Sequence, residues 1–313
     1  MKSTSPCPQH AINRCLTLLW IVLAGPLSTM SAQSWITDST TVILLGTGTP
    51  VPDPDASGPA TAVVVRDRIF VVDAGPGVMR RLVAAGLPQN QITALFLTHL
   101  HSDHTLGYPD LLLTTWTVGR REPFDVYGPI GTKHMTDKIF NTWKEDIRIR
   151  VEGLERNSAG GYEVTVHEFG SGVIYDSAGV TVRAFRVPHG NWAESYGFRF
   201  DTPDKSIVIS GDTAPTDSVV LWTEGADILI HESYPAVRLV PEERPGGELW
   251  PQYMREFHTS DEELGALASR ASPDILILHH VVRMGGTDEE LLQGLRRGGY
   301  TGRAFIGKDL QRF

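Results

Sequence analysis

Three histidines and an aspartate lie within six residues of this chain, at His99, His101, Asp103 and His104. The apolar run over residues 92–97 precedes them and predicts a buried strand, so the cluster begins where that strand ends. His99 and His101 are two residues apart and can point the same way from an extended backbone. Because neutral imidazole and carboxylate groups are standard ligands of zinc and similar divalent ions, the motif predicts a metal site rather than a solvated polar loop.

Residues of the same types end four further predicted strands. Each of them alone could be a core or surface residue, but their shared position at strand ends predicts one convergent site. These residues are His189, Asp212, His231 and the pair His279 and His280. Together with the first motif they supply enough nitrogen and oxygen ligands for two ions, which can share a water and lower its pKa. The ligand types favour zinc and leave manganese or iron open.

The elements that must position these residues alternate between strands and helices, with hairpins, in two similar halves. This pattern predicts a layered α/β sandwich. We expect a helix over residues 132–145, antiparallel strands over residues 151–183, an irregular segment over residues 235–257 and a helix that opens at residues 258–262. Asp73 ends another predicted strand, from which it could orient a metal ligand.

The first 32 residues have the order of a secretory signal, in which a charged segment, an apolar run over residues 15–24 and small residues follow one another. The run is too short to span a bilayer, and an uncleaved anchor is the alternative. We therefore expect a signal peptide over residues 1–32, a single domain over residues 33–313, no membrane span after cleavage, and a periplasmic or secreted protein. Both cysteines, Cys7 and Cys15, would be removed, so histidine and aspartate must hold the metal.

The chain is acidic, with 28 Lys and Arg residues against 37 Asp and Glu residues and a net charge of −9. Removal of Lys2 and Arg14 with the predicted signal brings the net charge to about −11. Proteins that bind nucleic acid usually carry a basic footprint. The composition therefore argues against a nucleic-acid partner, although a local basic patch stays open.

The motifs together resemble those of the metallo-β-lactamase superfamily. The superfamily markers are the His99–His104 motif, Gly46-Thr-Gly-Thr-Pro50, Val71-Val-Asp73-Ala-Gly75 and Gly211-Asp212-Thr213. Within the superfamily the chain is similar to the ribonuclease Z branch, through Pro188-His189, Tyr196-Gly-Phe-Arg199, Ile230-His231-Glu232 and His258-Thr-Ser260. The resemblance implies the metallo-β-lactamase fold, a four-layer αβ/βα sandwich with two zinc ions at one edge. It also leaves a homodimer possible.

The candidate ligands divide naturally between two ions. One ion would take His99, His101 and His189, the other Asp103, His104 and His280, and Asp212 could bridge them. The spacing from His258 fits the last ligand of the ribonuclease Z branch and selects His280 over His279.

The resemblance also implies catalytic roles. Asp103 would be a ligand and candidate general base, His258 the proton donor to the leaving group, and Glu232 the residue that orients His258. His258 at a helix start near an acidic partner suits acid catalysis, and a helix-capping neighbour is the alternative. His231 is expected to be structural.

One departure from the ribonuclease Z branch decides the functional prediction. Members that process tRNA carry a long arm after the strand that matches Tyr196, whereas here only residues 201–205 separate Phe200 from the next strand. With the export signal and the acidic charge, this predicts a secreted dinuclear zinc hydrolase of small-molecule phosphodiester or aryl sulfate esters. The alternatives are a ribonuclease Z-type tRNA 3′-end endonuclease, a lactone or β-lactam hydrolase, and a metal-binding protein without turnover.

Overall fold

Two β-sheets, packed face to face between helices, form the computed structural model, which describes residues 35–36 and 39–313. The predicted signal peptide over residues 1–32 and the predicted domain start at residue 33 lie outside the described residues. Over the described part of the chain, no helix is long and apolar enough to cross a membrane.

The first sheet contains six strands in chain order. They are β1 (Thr41–Gly46), β2 (Ala60–Val65), β3 (Arg68–Val72), β4 (Ile92–Phe96), β5 (Phe124–Gly128) and β6 (Val164–Glu168). β1 to β3 form an antiparallel meander, and β3 to β6 run parallel. The parallel strands end at the same edge, which places the turns after β3 and β4 side by side. Phe313 closes the other side of the sheet through two backbone hydrogen bonds with Val42 of β1.

The second sheet contains the remaining seven strands. They are β7 (Gly172–Ser177), β8 (Val180–Arg186), β9 (Tyr196–Asp201), β10 (Ser206–Ile209), β11 (Ile228–Ser233), β12 (Ile275–Val281) and β13 (Arg303–Ile306). β7 to β10 are antiparallel, and β10 to β13 are parallel. The carboxyl ends of β10, β11 and β12 therefore also share one edge.

Nine helices flank the sheets in the described residues. They are α1 (Val78–Ala84), α2 (Ser102–Thr105), α3 (Tyr108–Thr117), α4 (Thr132–Thr142), α5 (Lys144–Glu152), α6 (Asp217–Thr223), α7 (Trp250–Phe257), α8 (Asp261–Ala271) and α9 (Asp288–Arg297). α8 and α9 each begin with a capping box, from Ser260 and Thr287 respectively. A capping box satisfies backbone N–H groups that a helix start otherwise leaves unpaired.

Three hydrophobic cores separate four layers. The first core joins the first sheet to α1, α3 and α4, the second lies between the sheets, and the third joins the second sheet to α6, α8 and α9. Alternate residues of β1 enter different cores, since Ile43 belongs to the first and Val42 and Leu44 to the second. A strand buried on both faces has this pattern because successive side chains point to opposite sides. The predicted layered α/β fold is confirmed.

Three sequence predictions about local structure need correction. The helix predicted over residues 132–145 is two helices, α4 and α5, that meet at Trp143. Residues 151–183 do not form one antiparallel set, because β6 pairs in parallel with β5 while β7 and β8 belong to the other sheet. Alternation reports which face of a strand is buried but not which sheet the strand joins. Residues 235–257, predicted to be irregular, contain the helix α7. The Pro and Gly residues before α7 concealed where the helix starts.

Candidate metal centre

Seven candidate ligands, all predicted from the sequence, meet at the shared edge of the two sheets. They form two groups whose potential ligand atoms lie within 4.8 Å of one another: His99, His101, His189 and Asp212, and then Asp103, His104 and His280. His99 follows β4, and the short helix α2 turns Asp103 and His104 back towards it. His189 and Asp212 follow β8 and β10, and His280 lies in β12.

The three imidazoles of the first group face one another through their ring nitrogens. His101 Nδ1 lies 2.9 Å from His99 Nε2 and 3.1 Å from His189 Nε2. The Nδ1 atoms of His99 and His189 are occupied, because His99 Nδ1 lies 3.0 Å from Thr98 Oγ1 and His189 donates to the Phe257 carbonyl at 2.8 Å. Both Nε2 atoms then carry lone pairs, and one proton on His101 can serve only one of them. A cation suits this arrangement better than a proton.

Asp212 lies between the two groups. Its Oδ1 is 3.4 Å from His104 Nε2, and its Oδ2 is 3.7 Å from His280 Nε2 and 4.0 Å from His189 Nε2. Asp103 Oδ2 accepts from His280 Nε2 at 3.1 Å. His104 Nε2 is buried without a hydrogen-bond partner. An unpartnered imidazole nitrogen beside two carboxylates fits a bound divalent ion.

Asp73 supports the ligands from behind. Its Oδ2 accepts a hydrogen bond from His104 Nδ1 at 2.8 Å and another from Thr98 Oγ1 at 2.9 Å. Thr98 in turn contacts His99 Nδ1, so Asp73 orients His104 directly and His99 through one hydroxyl. This is the orienting position that the sequence suggested for Asp73. Thr98 was missed because a threonine at a strand end carries no distinct signal.

Backbone strain accompanies two of these positions. Asp73 has φ 61° and His280 has φ 49°, in the left-handed region that residues other than glycine seldom adopt. Such conformations cost on the order of 1–3 kcal/mol each and persist where the surrounding structure enforces them. The two strand ends are thus held in the turns that aim their side chains at the site.

The first group of imidazoles is neutral near physiological pH. Burial lowers the pKa of His101 and of His189 to about 4, and it lowers the pKa of His99 well below its ordinary value. Each loses its charge because a buried imidazolium is poorly solvated and neighbouring histidines repel it. Neutral imidazole is the form that binds metal.

The second group has the opposite electrostatics. Burial lowers the pKa values of His104 and His280, but the Asp212 carboxylate and their other carboxylate partners outweigh burial and raise both. Burial raises the pKa of Asp212, yet His280 and His104 bring it well below its ordinary value. Positive charge therefore stabilises the carboxylates of the second group. A divalent ion can supply this charge in place of the protons on His104 and His280.

His258 and Glu232 form the second predicted pair. His258 Nδ1 lies 3.3 Å from Glu232 Oε1, although the alignment falls short of a hydrogen bond. Glu232 Oε1 accepts from the backbone N–H groups of Thr213 and Thr259 at 3.2 and 3.1 Å. Burial lowers the pKa of His258, but the Glu232 charge outweighs burial and raises it. The His258 ring lies 5.4 Å from that of His189, which places it beside the first group.

The two remaining strand-end histidines belong to neither ligand group. His231 Nδ1 lies 2.6 Å from the Glu232 carbonyl, inside the second sheet. His279 precedes His280 and is buried, with its Nδ1 unpartnered. Of the two adjacent histidines, only His280 lies in a ligand group, and its role as a ligand stays a prediction.

A loop beside the metal centre is anchored by one carboxylate that the sequence did not reveal. Asp309 accepts hydrogen bonds from the backbone of Thr47 at 2.9 Å and of Ser57 at 2.8 Å, and it pairs with Arg81 at 2.9 Å. The loop over residues 47–57 lines a cleft that also contains Asp103. A single acid near the chain end gives no sequence signal of this role.

Comparisons with known proteins identify the family. The Beta-lactamase superfamily domain matches residues 68–281 of this chain. The chain belongs to the metallo-β-lactamase superfamily. It is 34% identical over 277 residues to a protein named Ribonuclease Z from Mycobacterium bovis BCG Pasteur, a match that covers 87% of this chain and 96% of the relative. A Ribonuclease Z from Mycobacterium sp. strain KMS is 39% identical over 243 residues, which cover 76% of this chain and 83% of the relative.

Solved structures share the metallo-β-lactamase fold. The metallo-β-lactamase fold protein YhfI from Bacillus subtilis matches with a TM-score of 0.68 and 18% identity, over 88% of this chain and 98% of that one. The short form of human tRNase Z matches with a TM-score of 0.65 and 22% identity, over 87% and 98%. The predicted resemblance, the fold and the assignment to a superfamily of metallo-hydrolases are confirmed.

The main functional prediction is wrong. It assigned small-molecule phosphodiester or aryl sulfate esters and argued against nucleic acid, whereas the curated relatives of this metallo-β-lactamase superfamily member are named Ribonuclease Z. Net charge is an average over the whole surface and does not describe the surface around one site. The short connection after Phe200 also does not exclude a ribonuclease Z. The alignment covers 96% of the length of a relative that is named Ribonuclease Z.

Proposed function

We propose that this protein is a metal-dependent endoribonuclease of the ribonuclease Z type that cleaves precursor tRNA at its 3′ end. The observation that carries the proposal is the match to proteins named Ribonuclease Z along nearly their whole length. The convergence of histidine and aspartate side chains at one sheet edge supports it, because phosphodiester hydrolysis by two metals requires such a ligand set.

We propose two divalent ions, with zinc as the first candidate, held as the sequence division suggested. His99, His101 and His189 would hold one ion, Asp103, His104 and His280 the other, and Asp212 would contact both. Bound there, the ions would lower the pKa of a water and neutralise charge on the attacked phosphate. Nitrogen and carboxylate ligands without thiolates also accept manganese or iron, so metal analysis decides the identity.

The remaining chemistry falls to side chains of the protein. Asp103 would take the proton of the attacking water, and protonated His258 would give a proton to the leaving oxygen. Glu232 would keep His258 charged and in place, since its carboxylate is buried and fixed by two backbone N–H groups. His258 lies within ring-contact distance of the His189 ligand, which suits a proton donor at the scissile bond.

The proposal is tested on full-length protein loaded separately with zinc and with manganese. The substrate is a precursor tRNA with a 3′ trailer, and the control substrate is the same tRNA without the trailer. We expect one cut at the 3′ end of the tRNA, and an Asp212→Ala variant that loses both bound metal and cleavage. Folded protein that retains metal and leaves the precursor intact would reject the proposal.

The cellular location stays a separate prediction. Export follows only from the order of charged, apolar and small residues over residues 1–32. Amino-terminal sequencing of the protein from its host tests it, since cleavage predicts a mature chain that starts near residue 33. A homodimer, implied by the resemblance alone, is tested by light scattering.

A further inference from the structure

A row of three stacked aromatic rings extends along α7 to the metal centre. Trp250 and Tyr253 have ring centroids 5.3 Å apart with planes inclined by 18°. Tyr253 and Phe257 have centroids 4.3 Å apart with planes inclined by 24°. The residues follow one another at helical spacing, so their rings form a continuous column along one face of α7. We call these three residues the aromatic stack.

The inner end of the aromatic stack touches the metal site. The Phe257 ring lies 5.1 Å from the ring of His189, and the Phe257 carbonyl lies 2.8 Å from His189 Nδ1. Tyr253 lies 5.8 Å from the ring of His258. Gly190 leaves room for the Phe257 ring, because a Cβ at residue 190 would lie 2.0 Å from that ring. The position of the aromatic stack is therefore fixed relative to the candidate catalytic groups.

The aromatic stack is only partly buried, unlike the residue that anchors its helix. Met254 of α7 is fully buried, whereas Trp250, Tyr253 and Phe257 all keep part of their surface exposed. A hydrophobic anchor for α7 is thus already present in Met254. Three large rings left partly in water beside a reactive centre have surface available for a ligand.

The outer end of the aromatic stack borders two clefts that contain acidic as well as basic side chains. Trp250 lines a cleft of about 790 Å³ that also contains three basic and four acidic residues: Arg81, Arg283 and Lys308, and Asp53, Asp55, Glu242 and Asp309. Together with Tyr253 it lines a smaller cleft of about 230 Å³ that contains Arg244, whose guanidinium pairs with Glu242. Single-stranded nucleic acid binds aromatic rings through its bases, so the rings, rather than the mixed charge of the clefts, are the feature that fits such a ligand.

We propose that the aromatic stack is a base-stacking platform that holds unpaired nucleotides of the RNA substrate beside the scissile phosphate. The inference rests on the proposed ribonuclease function and assigns the substrate contact that a short, acidic chain requires. Because the larger cleft at the outer end of the stack contains four acidic side chains against three basic ones, charge alone does not retain a single strand there. Stacking on aromatic rings adds affinity that does not depend on charge and accepts any base.

Binding of a short, unstructured RNA to the full-length protein tests the proposal independently of cleavage. The probe is a fluorescent hexa-adenylate RNA. For metal-loaded protein the probe is an analogue of this oligomer with 2′-deoxy sugars and a phosphorothioate backbone. We expect Trp250→Leu to raise Kd roughly 5- to 100-fold, the range expected when one base loses its aromatic partner. Trp250→Phe keeps a stacking ring and should remain within about threefold of the wild type.

The matched control is Trp143→Leu, since Trp143 is 37% exposed and lies between α4 and α5. It should leave Kd unchanged. An oligomer with the same backbone but abasic sites should bind weakly to every variant. Thermal unfolding of Trp250→Leu confirms that the protein is folded before Kd is interpreted.

The outcomes separate this inference from the proposed function. Equal Kd values for Trp250→Leu and wild type, or tight binding of the abasic oligomer, would overturn the platform. Cleavage of precursor tRNA that is indifferent to Trp250→Leu would also reject the platform while the ribonuclease function stands. Trp250-dependent RNA binding without any cleavage would reject the ribonuclease and keep the platform. Trp250-dependent binding of an aromatic ester but not of RNA would assign the stack to another ligand and overturn the inference.

Discussion

Asp73 Oδ2 accepts a hydrogen bond from His104 Nδ1 at 2.8 Å, and this contact fixes which nitrogen of His104 faces the metal site. With one proton held on Nδ1, the proton that His104 loses on metal binding comes from Nε2, which faces the space between Asp103 and Asp212. A carboxylate in this position also makes the imidazole a stronger electron donor.

The variant Asp73→Asn should therefore bind zinc about 10- to 100-fold more weakly, which is the usual effect of losing such an orienting carboxylate. Competition with a chromogenic chelator measures the affinity. Asp125→Asn is the matched control, because Asp125 contacts His167 at the same 2.8 Å but lies outside the ligand groups. Equal losses in the two variants would contradict a specific role for Asp73.

The two ligand groups should differ in how their metal affinity depends on pH. His101 and His189 have pKa values lowered by burial to about 4, so near neutral pH they release no proton when metal binds. Burial also lowers the pKa values of His104 and His280, but the carboxylates around them outweigh burial and raise both above the ordinary 6.5. These two imidazoles must lose protons to bind metal.

Zinc affinity of the second group should therefore fall as pH drops below the raised pKa values of His104 and His280, while that of the first group stays flat. Calorimetric titrations in buffers of different ionisation enthalpy, repeated from pH 6 to 9, count the protons released at each step. Two binding steps with the same proton count would show that this assignment of charge is wrong.

Glu232 should determine the pH at which activity falls on the alkaline side, or limb, of the pH–activity profile. Burial lowers the pKa of His258, but Glu232 outweighs burial and raises it, so His258 keeps its proton to higher pH than an ordinary histidine. A proton donor works only while protonated, so activity should fall as pH rises through this raised pKa. In Glu232→Gln the limb should move to lower pH.

The profile of kcat/KM against pH measures the shift, and the exposed Glu224→Gln serves as control. The limb should be absent in His258→Ala. A Glu232→Gln enzyme with reduced activity and an unmoved limb would make Glu232 structural rather than electrostatic.

Asp309 should stabilise the loop over residues 47–57. Its side chain is only 5% exposed, and its removal leaves the N–H groups of Thr47 and Ser57 without their partner. We expect Asp309→Ala to lower the free energy of unfolding by roughly 2–4 kcal/mol and to make the loop more sensitive to proteases. Asp137→Ala, which breaks the exposed pair with Lys133, should change stability by at most about 0.5 kcal/mol.

Denaturant unfolding and limited proteolysis check this prediction. Proteolysis that spares the loop in a destabilised Asp309→Ala would place the effect elsewhere in the molecule.

What the sequence could reveal depended on how local each signal was. The motif from His99 to His104 is compact, so its chemistry was readable directly, and strand ends located His189 and Asp212 without knowledge of the sheet order. Asp309 could not be found, because its partners lie 252 and 262 residues away and it stands alone in the sequence.

The substrate prediction failed for a related reason. Composition and the short loop after Phe200 describe the whole chain and one connection, whereas recognition depends on a particular surface. The rings of α7 illustrate this, since their stacking follows from a helix that residues 235–257 did not reveal by composition.

The candidate ligands come from both sheets. Residues 99–104 follow β4 of the first sheet, while His189, Asp212 and His280 belong to the second. An ion held between them is therefore also a cross-link between the two halves of the fold. An ion that binds only the folded chain adds about 4.1 kcal/mol to the free energy of unfolding when its concentration is a thousand times Kd. Metal content then reports assembly as well as chemistry, because neither half folded alone contains the complete ligand set.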